Sequence, residues 1–145
     1  MDALKDSNFQ IIVATGAINT EGLRDTYHQP NIVIEDYLDF NSVLPFTDLY
    51  ITNGGYGGVI MSLRYGVPIL CAGVTAGKND VNAHVRYFKV GVDLKTDKPS
   101  EVRIKKGVAR VFSNGYAENA RRIQNILESY EPNKIIESYV FNSNA

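Results

Sequence analysis

Four glycines within five residues separate two apolar runs in Asp48-Leu49-Tyr50-Ile51-Thr52-Asn53-Gly54-Gly55-Tyr56-Gly57-Gly58-Val59-Ile60-Met61-Ser62-Leu63. The run before the glycines is short and predicts a strand over residues 48–52. The run after them places Val59, Ile60 and Leu63 on one face of a helix that ends at Gly66. A strand, a glycine-rich loop and a helix in this order indicate an α/β unit.

The same alternation of strands and helices continues on both sides of this segment. Further strands are predicted over residues 9–14, 31–35, 67–72 and 90–94. Helices are predicted over residues 81–89, 100–112, 116–130 and 132–140. Residues 2–7 are predicted to be the end of a helix, and residues 17–30 to contain a helical turn. A loop is predicted over 73–80 and a frayed terminus over 142–145. The expected fold class is therefore α/β, a Rossmann-like doubly wound parallel sheet. Val102, Val108 and Val111 are the expected buried side of the helix over 100–112.

Composition bounds the classes of protein that the chain can belong to. Its 145 residues predict one domain, and 15 basic against 16 acidic side chains give a net charge of -1, with no basic excess for nucleic acid or an anionic membrane. Cys71 is the single cysteine, so no internal disulfide is expected. No apolar run approaches the roughly 18 residues of a membrane span, and residues 1–6 do not resemble a signal peptide. We expect a cytoplasmic protein without a metal site, since no His, Cys or carboxylate cluster has metal-ligand spacing.

The glycine loop is the strongest functional signal in the sequence. Residues without Cβ atoms adopt positive φ and let a ligand approach the backbone closely. The helix that follows presents free N–H groups and a partial positive charge, which suit a phosphate or diphosphate at the carboxyl end of a strand. The loop lacks the third glycine of G-x-G-x-x-G, and no Gly-Lys-Ser/Thr follows it, so it is neither a dinucleotide fingerprint nor a Walker A loop. The alternative is a tight turn whose glycines only permit close packing.

Several further motifs occur in a fixed order around this loop. They are Asp36-Tyr37-Leu38, Val43-Leu44-Pro45, Asn53-Gly54-Gly55-Tyr56-Gly57-Gly58, Gly66-Val67-Pro68, Lys78-Asn79-Asp80 and Asn82-Ala83. From Asn31 onward the sequence resembles the C-terminal, donor-binding half of a GT-B-fold glycosyltransferase, of the UDP-glycosyltransferase type that includes macrolide and sterol glycosyltransferases. The resemblance implies a nucleotide-sugar donor, with UDP or TDP as its nucleotide.

The resemblance also implies roles for individual residues. The residues implied to bind the donor are Asn53, Gly54, Gly55, Gly57 and Gly58 at the diphosphate, Tyr37 and Leu38 beside the base, and Lys78 and Asn79 near the phosphates, ribose or sugar. A half-buried aromatic at a strand end is the alternative for Tyr37, and Asn82 is expected to orient the loop rather than touch the donor. Three positions depart from the family pattern: Asn53 replaces a His, Gly58 replaces a hydroxyl residue, and Lys78-Asn79 replaces an acidic-Gln pair. These departures bear on which donor is used.

The implied reaction is the inverting, metal-independent transfer of a hexosyl group from a UDP- or TDP-sugar to an acceptor hydroxyl, without a cofactor. The resembling enzymes carry their general base, a His, in an N-terminal half, so no catalytic residue is expected within residues 1–145. We expect one donor-binding domain, a fragment of a longer enzyme that lacks the first strand of the sheet. Exposed strand edges would then favour a partner chain or a homo-oligomer. Two alternatives remain: a non-catalytic nucleotide-sugar-binding subunit that needs a partner chain, and a structural domain with a vestigial phosphate loop.

Overall fold

The computed structural model describes residues 1–141, and the fraying expected for residues 142–145 lies outside them. The strands are β1 (Ile11–Ala14), β2 (Ile32–Glu35), β3 (Tyr50–Thr52), β4 (Ile69–Cys71) and β5 (Gly91–Asp93). The helices are α1 (Thr20–Arg24), α2 (Phe40–Val43), α3 (Tyr56–Arg64), α4 (Lys78–Tyr87), α5 (Glu101–Ser113), α6 (Tyr116–Ser129) and α7 (Pro132–Phe141), with a 3₁₀ turn over Leu44–Phe46 after α2. The predicted alternation of strands and helices is confirmed.

All strand pairs of the described residues are parallel, which confirms the predicted class. The strands do not form one continuous sheet, however. β1 pairs with β2, with Ile11 opposite Ile32, and a second sheet has the order β3-β4-β5, with Ile69 opposite both Tyr50 and Gly91. The break between the two sheets therefore falls between β1 and β3.

The position of this break can be compared with the strand order of doubly wound sheets. A doubly wound sheet has the strand order 3-2-1-4-5-6, so its strands 2 and 4 are neighbours of its first strand. Without that first strand the order reads 3-2 and 4-5-6, which is the observed arrangement of β2-β1 and β3-β4-β5. Leu4 before β1 and Leu49 before β3 pack against the same apolar cluster. The described strands thus match the two sides of such a sheet, and the missing first strand stays a prediction.

Apolar clusters cover both faces of the three-stranded sheet. The first contains Val59, Leu63, Ile69, Cys71, Val85, Val90 and Ala120, mainly from α3, α4 and α6. The second contains Leu70, Val92, Leu94, Val108 and Val111, mainly from β5 and α5. Residues of β4 are at most 1% exposed, whereas Ile12 of β1 is 50% exposed and Ile51 of β3 is 48% exposed. The two strands beside the break thus lack the complete cover that β4 has.

Four local expectations were wrong. α3 begins at Tyr56 rather than at Val59, and α4 begins at Lys78, so Lys78 and Asn79 lie in a first helical turn rather than in a loop. Residues 2–6 form hydrogen-bonded turns rather than a helix end. On α5, Val102 is 59% exposed, while Ile104 packs against the second cluster because it shares a helical face with Val108 and Val111. Among the described residues, no helix has the length and apolar character needed to cross a membrane.

Candidate functional site

The glycine loop joins the carboxyl end of β3 to the first turn of α3. Gly54 has a φ of 86°, a left-handed conformation that a side chain would strain. Two loop amides are satisfied locally: Gly54 N–H donates to Thr52 Oγ1 at 3.3 Å, and Gly55 N–H donates to Asn53 Oδ1 at 3.1 Å. Gly55 is the N-cap of α3 and provides no side-chain cap. In the described part of the chain, the amides of Tyr56, Gly57 and Gly58 therefore remain free to bind an anion.

The glycines of the loop serve different purposes. A Cβ on Gly57 would meet no atom within 4 Å, so the backbone there is open to a ligand. A Cβ on Gly54 would lie 1.9 Å from Asn82 Oδ1, so Gly54 is required for close packing. The Gly54 end of the loop thus fits the alternative of a tightly packed turn, and the Gly57 end leaves room for the expected anion, whose binding stays a prediction. No acidic side chain lies in the first turn of α3, and the helix dipole there is not offset by a carboxylate from that turn.

Asn82 of α4 packs against the buried side of the glycine loop at Gly54. Its side chain is fully buried, and its Nδ2 donates to the carbonyl of Gly73 at 2.9 Å. Its Oδ1 is buried without a hydrogen-bond partner among the described residues and lies against Gly54. A Cβ on Gly73 would lie 2.2 Å from the carbonyl oxygen of Asn53, so the chain after β4 also presses on the loop. These contacts agree with the expected orienting role of Asn82.

Lys78 and Asn79 have different positions relative to the loop. Lys78 Cδ lies 3.1 Å from where a Cβ on Gly73 would be, beside the backbone of Asn53, so the lysine stem passes close to the glycine loop. No described acidic group forms an ion pair with its ammonium. Asn79 is exposed, and none of its described contacts reaches the loop. The structure therefore places Lys78 beside the loop but does not bring Asn79 to it.

Tyr37 and Leu38 follow β2, in the other sheet. Tyr37 is 75% exposed, so it is not the half-buried aromatic of the alternative interpretation, and Leu38 is half-buried. Just beyond them, Asp39 caps α2 by accepting from Ser42 Oγ at 2.5 Å and from the Asn41 amide at 3.0 Å. These hydrogen bonds hold the pKa of the Asp39 carboxyl below its ordinary value. No described contact joins Tyr37 or Leu38 to the glycine loop.

The site has the chemistry of an anion-binding site rather than of a nucleophilic one. Cys71 ends β4 inside the first cluster, and burial raises the pKa of its thiol to about 12, with a smaller contribution from the charge of Asp93. Within the described residues, no three His, Cys, Asp or Glu side chains are grouped so that they could hold a metal ion. What the geometry offers is backbone N–H groups, the helix dipole and one lysine.

Comparison with known proteins assigns this geometry to a family. The family model described as "UDP-glucoronosyl and UDP-glucosyl transferase" matches residues 14–142. The chain belongs to this family. UDP-glucosyltransferase A1 of Starmerella bombicola is 33% identical over 142 residues, which is 97% of this chain and 31% of that protein. The 4'-demethylrebeccamycin synthase of Lentzea aerocolonigenes is 40% identical over 82 residues, 57% of this chain and 20% of that protein.

Solved structures share the fold of this family member. The glycosyltransferase VinC, solved in complex with DTDP, superposes with a TM-score of 0.76 at 18% identity, over 88% of this chain and 32% of its own. The calicheamicin glycosyltransferase CalG4 superposes with a TM-score of 0.73 at 20% identity, over 98% of this chain and 46% of its own. The chain spans about a third of the length of the curated relative from Starmerella. The family and fold implied by the sequence resemblance are thus confirmed.

Tyr50 and Gly73 are two residues near the site that the sequence alone did not indicate. The Tyr50 hydroxyl is 2.9 Å from the Cβ position of Gly58, and Gly73 lies against Asn53. The motif order could not reveal either contact, because each joins residues from separate elements. Glycine directly after a buried strand was the one available signal for Gly73.

Proposed function

We propose that the chain is the donor-binding domain of an inverting glycosyltransferase that moves a hexosyl group from a UDP- or TDP-sugar to an acceptor hydroxyl. The observation that carries this proposal is the first turn of α3, where the amides of Tyr56, Gly57 and Gly58 are free and Gly57 is open to a ligand. Family membership supports the reaction class. A diphosphate is the part that UDP and TDP share, so the same amides serve either donor.

The proposed role in the reaction is electrostatic. As the acceptor oxygen attacks the anomeric carbon with inversion, the bond between that carbon and the diphosphate oxygen breaks, and negative charge grows on the departing diphosphate. Fixed amides at a helix N-terminus stabilise such charge without reorganising, in the manner of an oxyanion hole. The ammonium of Lys78, whose stem lies beside Asn53, adds a positive charge near the same place. The proton of the acceptor hydroxyl goes to a base outside this chain, and neither a metal nor a cofactor takes part in the proposed step.

The remaining donor contacts are proposed with the same site. Asn53 uses its Oδ1 within the loop, which leaves its Nδ2 to donate to a phosphate oxygen. The exposed ring of Tyr37 is proposed to stack on the base, with the backbone of Leu38 beside it. Asn79 is proposed to contact hydroxyls of the ribose or sugar, which requires the donor to extend along α4. We also propose a cytoplasmic location.

The isolated chain tests the proposal through binding. We expect millimolar UDP and TDP to raise its melting temperature, while uridine, which lacks the diphosphate, has a smaller effect. We expect no sugar transfer from UDP-glucose by the chain alone, with or without a metal chelator. A melting temperature that responds to neither UDP nor TDP nor GDP would favour the alternative of a structural domain with a vestigial loop.

A second candidate follows from the break between the two sheets. β1 and β3 have partly exposed apolar side chains, and among the described strands each pairs on one edge only. We propose that a further segment, from an acceptor-binding half or a separate partner chain, completes the fold. A non-catalytic subunit of a heteromer would bind UDP and form a stable complex with an acceptor-binding chain on co-expression. Light scattering of the isolated chain distinguishes this from a homo-oligomer that pairs through the same edges.

A further inference from the structure

The glycine loop begins with an Asn-Gly pair, Asn53-Gly54, which has a covalent chemistry of its own. In such a pair the backbone nitrogen of the glycine can attack the side-chain carbonyl carbon of the asparagine, because glycine has no Cβ to hinder the approach. The products are a five-membered succinimide and ammonia, and water then opens the ring to aspartate or isoaspartate. The sequence contains a second pair, Asn114-Gly115, between α5 and α6. The two pairs can therefore be compared within one molecule.

The hydrogen bond at the side-chain oxygen of Asn53 favours this reaction. As the nitrogen attacks, negative charge develops on Oδ1, and a donor that is already aimed at this oxygen stabilises the charge. Gly55 N–H donates to Asn53 Oδ1 at 3.1 Å. The same bond closes an Asx turn, which folds the side-chain amide back along the backbone that contains the attacking nitrogen of Gly54. Asn53 is also exposed, so water reaches its side chain for the hydrolysis.

The two nitrogens that take part in the reaction are weakly held. Gly54 N–H makes a long hydrogen bond of 3.3 Å to Thr52 Oγ1, and no carbonyl of the described residues accepts from it. Its proton is therefore open to removal by hydroxide. Among the hydrogen bonds of the described residues, none involves Asn53 Nδ2, so nothing there retains the nitrogen that leaves as ammonia.

The side chain of Asn114 has the opposite arrangement. Its Nδ2, the leaving nitrogen, donates to the carbonyl of Arg110 at 2.9 Å and to Ser113 Oγ at 2.9 Å. Both bonds direct the amide back onto α5, and no described group donates to its Oδ1. Asn114 is exposed, as Asn53 is. The two pairs thus share their sequence and exposure, and they differ in which atom of the side-chain amide is held.

We propose that Asn53 is a site of spontaneous deamidation. The bond between Cγ and the nitrogen of Gly54 forms while the bond between Cγ and Nδ2 breaks. The proton of the Gly54 amide goes to hydroxide, and Nδ2 takes a proton from water and leaves as ammonia. A second water molecule then hydrolyses the succinimide to a carboxylate, so the whole change exchanges an amide for an acid without oxidation or reduction. Since hydroxide takes part, the rate rises with pH.

The consequence of the modification rests on the proposed function, whereas the modification itself does not. A carboxylate at position 53 replaces a donor by an acceptor and adds a negative charge to the loop proposed to bind a diphosphate. Like charges at this range should weaken UDP binding about tenfold or more. The fold should remain, because a carboxylate oxygen accepts from Gly55 N–H as Oδ1 does and the nearby N-terminus of α3 favours negative charge.

Peptide mass spectrometry of the full chain, aged in a mildly alkaline buffer, tests the site. In the folded chain we expect position 53 to convert several-fold faster than position 114. In urea the two positions should convert at similar rates, because the hydrogen bonds that distinguish them are lost. No conversion at position 53, or conversion at 114 that is as fast or faster in the folded chain, would overturn the proposal. The mass readout involves no nucleotide, so a chain that converts at 53 but never binds UDP would overturn the proposed function alone.

Two variants test the effect of the new charge. Asn53→Asp should bind UDP about tenfold more weakly than the parent or worse, with no decrease in its melting temperature without ligand. Asn114→Asp is the matched control, since it makes the same exchange at the other Asn-Gly pair, and it should bind UDP as the parent does. A parent that binds UDP together with an equally tight Asn53→Asp variant would overturn the consequence drawn here for binding.

Discussion

Replacing Gly54 with alanine should destabilise the fold more than any simple conformational effect of glycine explains. Gly54 has a φ of 86°, and holding a residue with a Cβ in the left-handed region costs about 1–2 kcal/mol. The added Cβ would also lie 1.9 Å from Asn82 Oδ1, and Asn82 is fully buried and held by its bond to the Gly73 carbonyl. Overpacking a fixed interior costs typically about 1–3 kcal/mol more. The expected total is therefore about 2–5 kcal/mol.

The structure supplies a matched control for the conformational part of this cost. Gly16 has a φ of 65°, and a Cβ there would meet no atom within 4 Å, so Gly16→Ala introduces backbone strain without overlap. The difference between the two variants in urea unfolding isolates the contact with Asn82, and it should be about 1–3 kcal/mol. In Gly54→Ala/Asn82→Ala the overlap disappears, so the double variant should be more stable than the sum of the single effects predicts.

Equal unfolding free energies for Gly54→Ala and Gly16→Ala would refute this reasoning. So would strict additivity in the double variant, because residues in contact must couple if Asn82 holds the loop. Either result would mean that the buried side of the loop yields readily, and that Gly54 is present for its backbone conformation alone.

Two further predictions concern charge and ionisation. Lys78→Gln should weaken UDP binding by up to about fivefold at low salt, and the effect should shrink as the salt concentration rises. Lys98→Gln, the control at an exposed position, should leave UDP binding unchanged. Equal effects of the two variants would contradict a specific position for Lys78 beside the loop. Cys71 should resist an aromatic disulfide reagent at pH 8 in the folded chain and react once urea unfolds it, because burial raises the pKa of its thiol from 9.0 to about 12. The thiol of the unfolded chain ionises at lower pH than the buried thiol, so the free energy of unfolding should fall as pH rises from about 9 to 12. Cys71→Ala should lose that part of the pH dependence. Rapid labelling of Cys71 in the folded chain at pH 8 would contradict the raised pKa.

The sequence predicted the order of the elements, the parallel sheet and the place of the glycine loop, because those depend on local patterns. The predicted start of α3 was too late because Gly57 and Gly58 are poor helix formers. Their low helix propensity is outweighed by their position in the first turn of the helix. The sequence indicated a loop at Lys78 for a similar reason: Gly77, at a φ of 76°, turns the chain into α4 directly before it. The buried positions inside the helices agreed with the predicted periodicity. The exception is Val102, which was assigned to the buried face of α5 but is exposed.

Contacts between separate elements were beyond the reach of sequence patterns. The family resemblance implied that Asn82 orients the loop, but nothing along the chain indicates that its Oδ1 lies against Gly54, or that the Tyr50 hydroxyl lies beside Gly58. The same holds for the exposure of β1, whose residues are as apolar as those of β4. Burial depends on which strands are neighbours, and the break between the two sheets leaves Ile12 half exposed.

The proposed function requires the first turn of α3 to bind the phosphates of a nucleotide sugar. A UDP titration followed by the backbone amide signals of Tyr56, Gly57 and Gly58 tests it most directly, with Gly57→Val as the variant. Gly57 is exposed and its Cβ position is open, so valine there should leave the fold intact while its side chain stands where the phosphate approaches. We predict that UDP shifts these amide signals in the parent chain and not in Gly57→Val. Equal UDP affinity of the two chains would contradict the account.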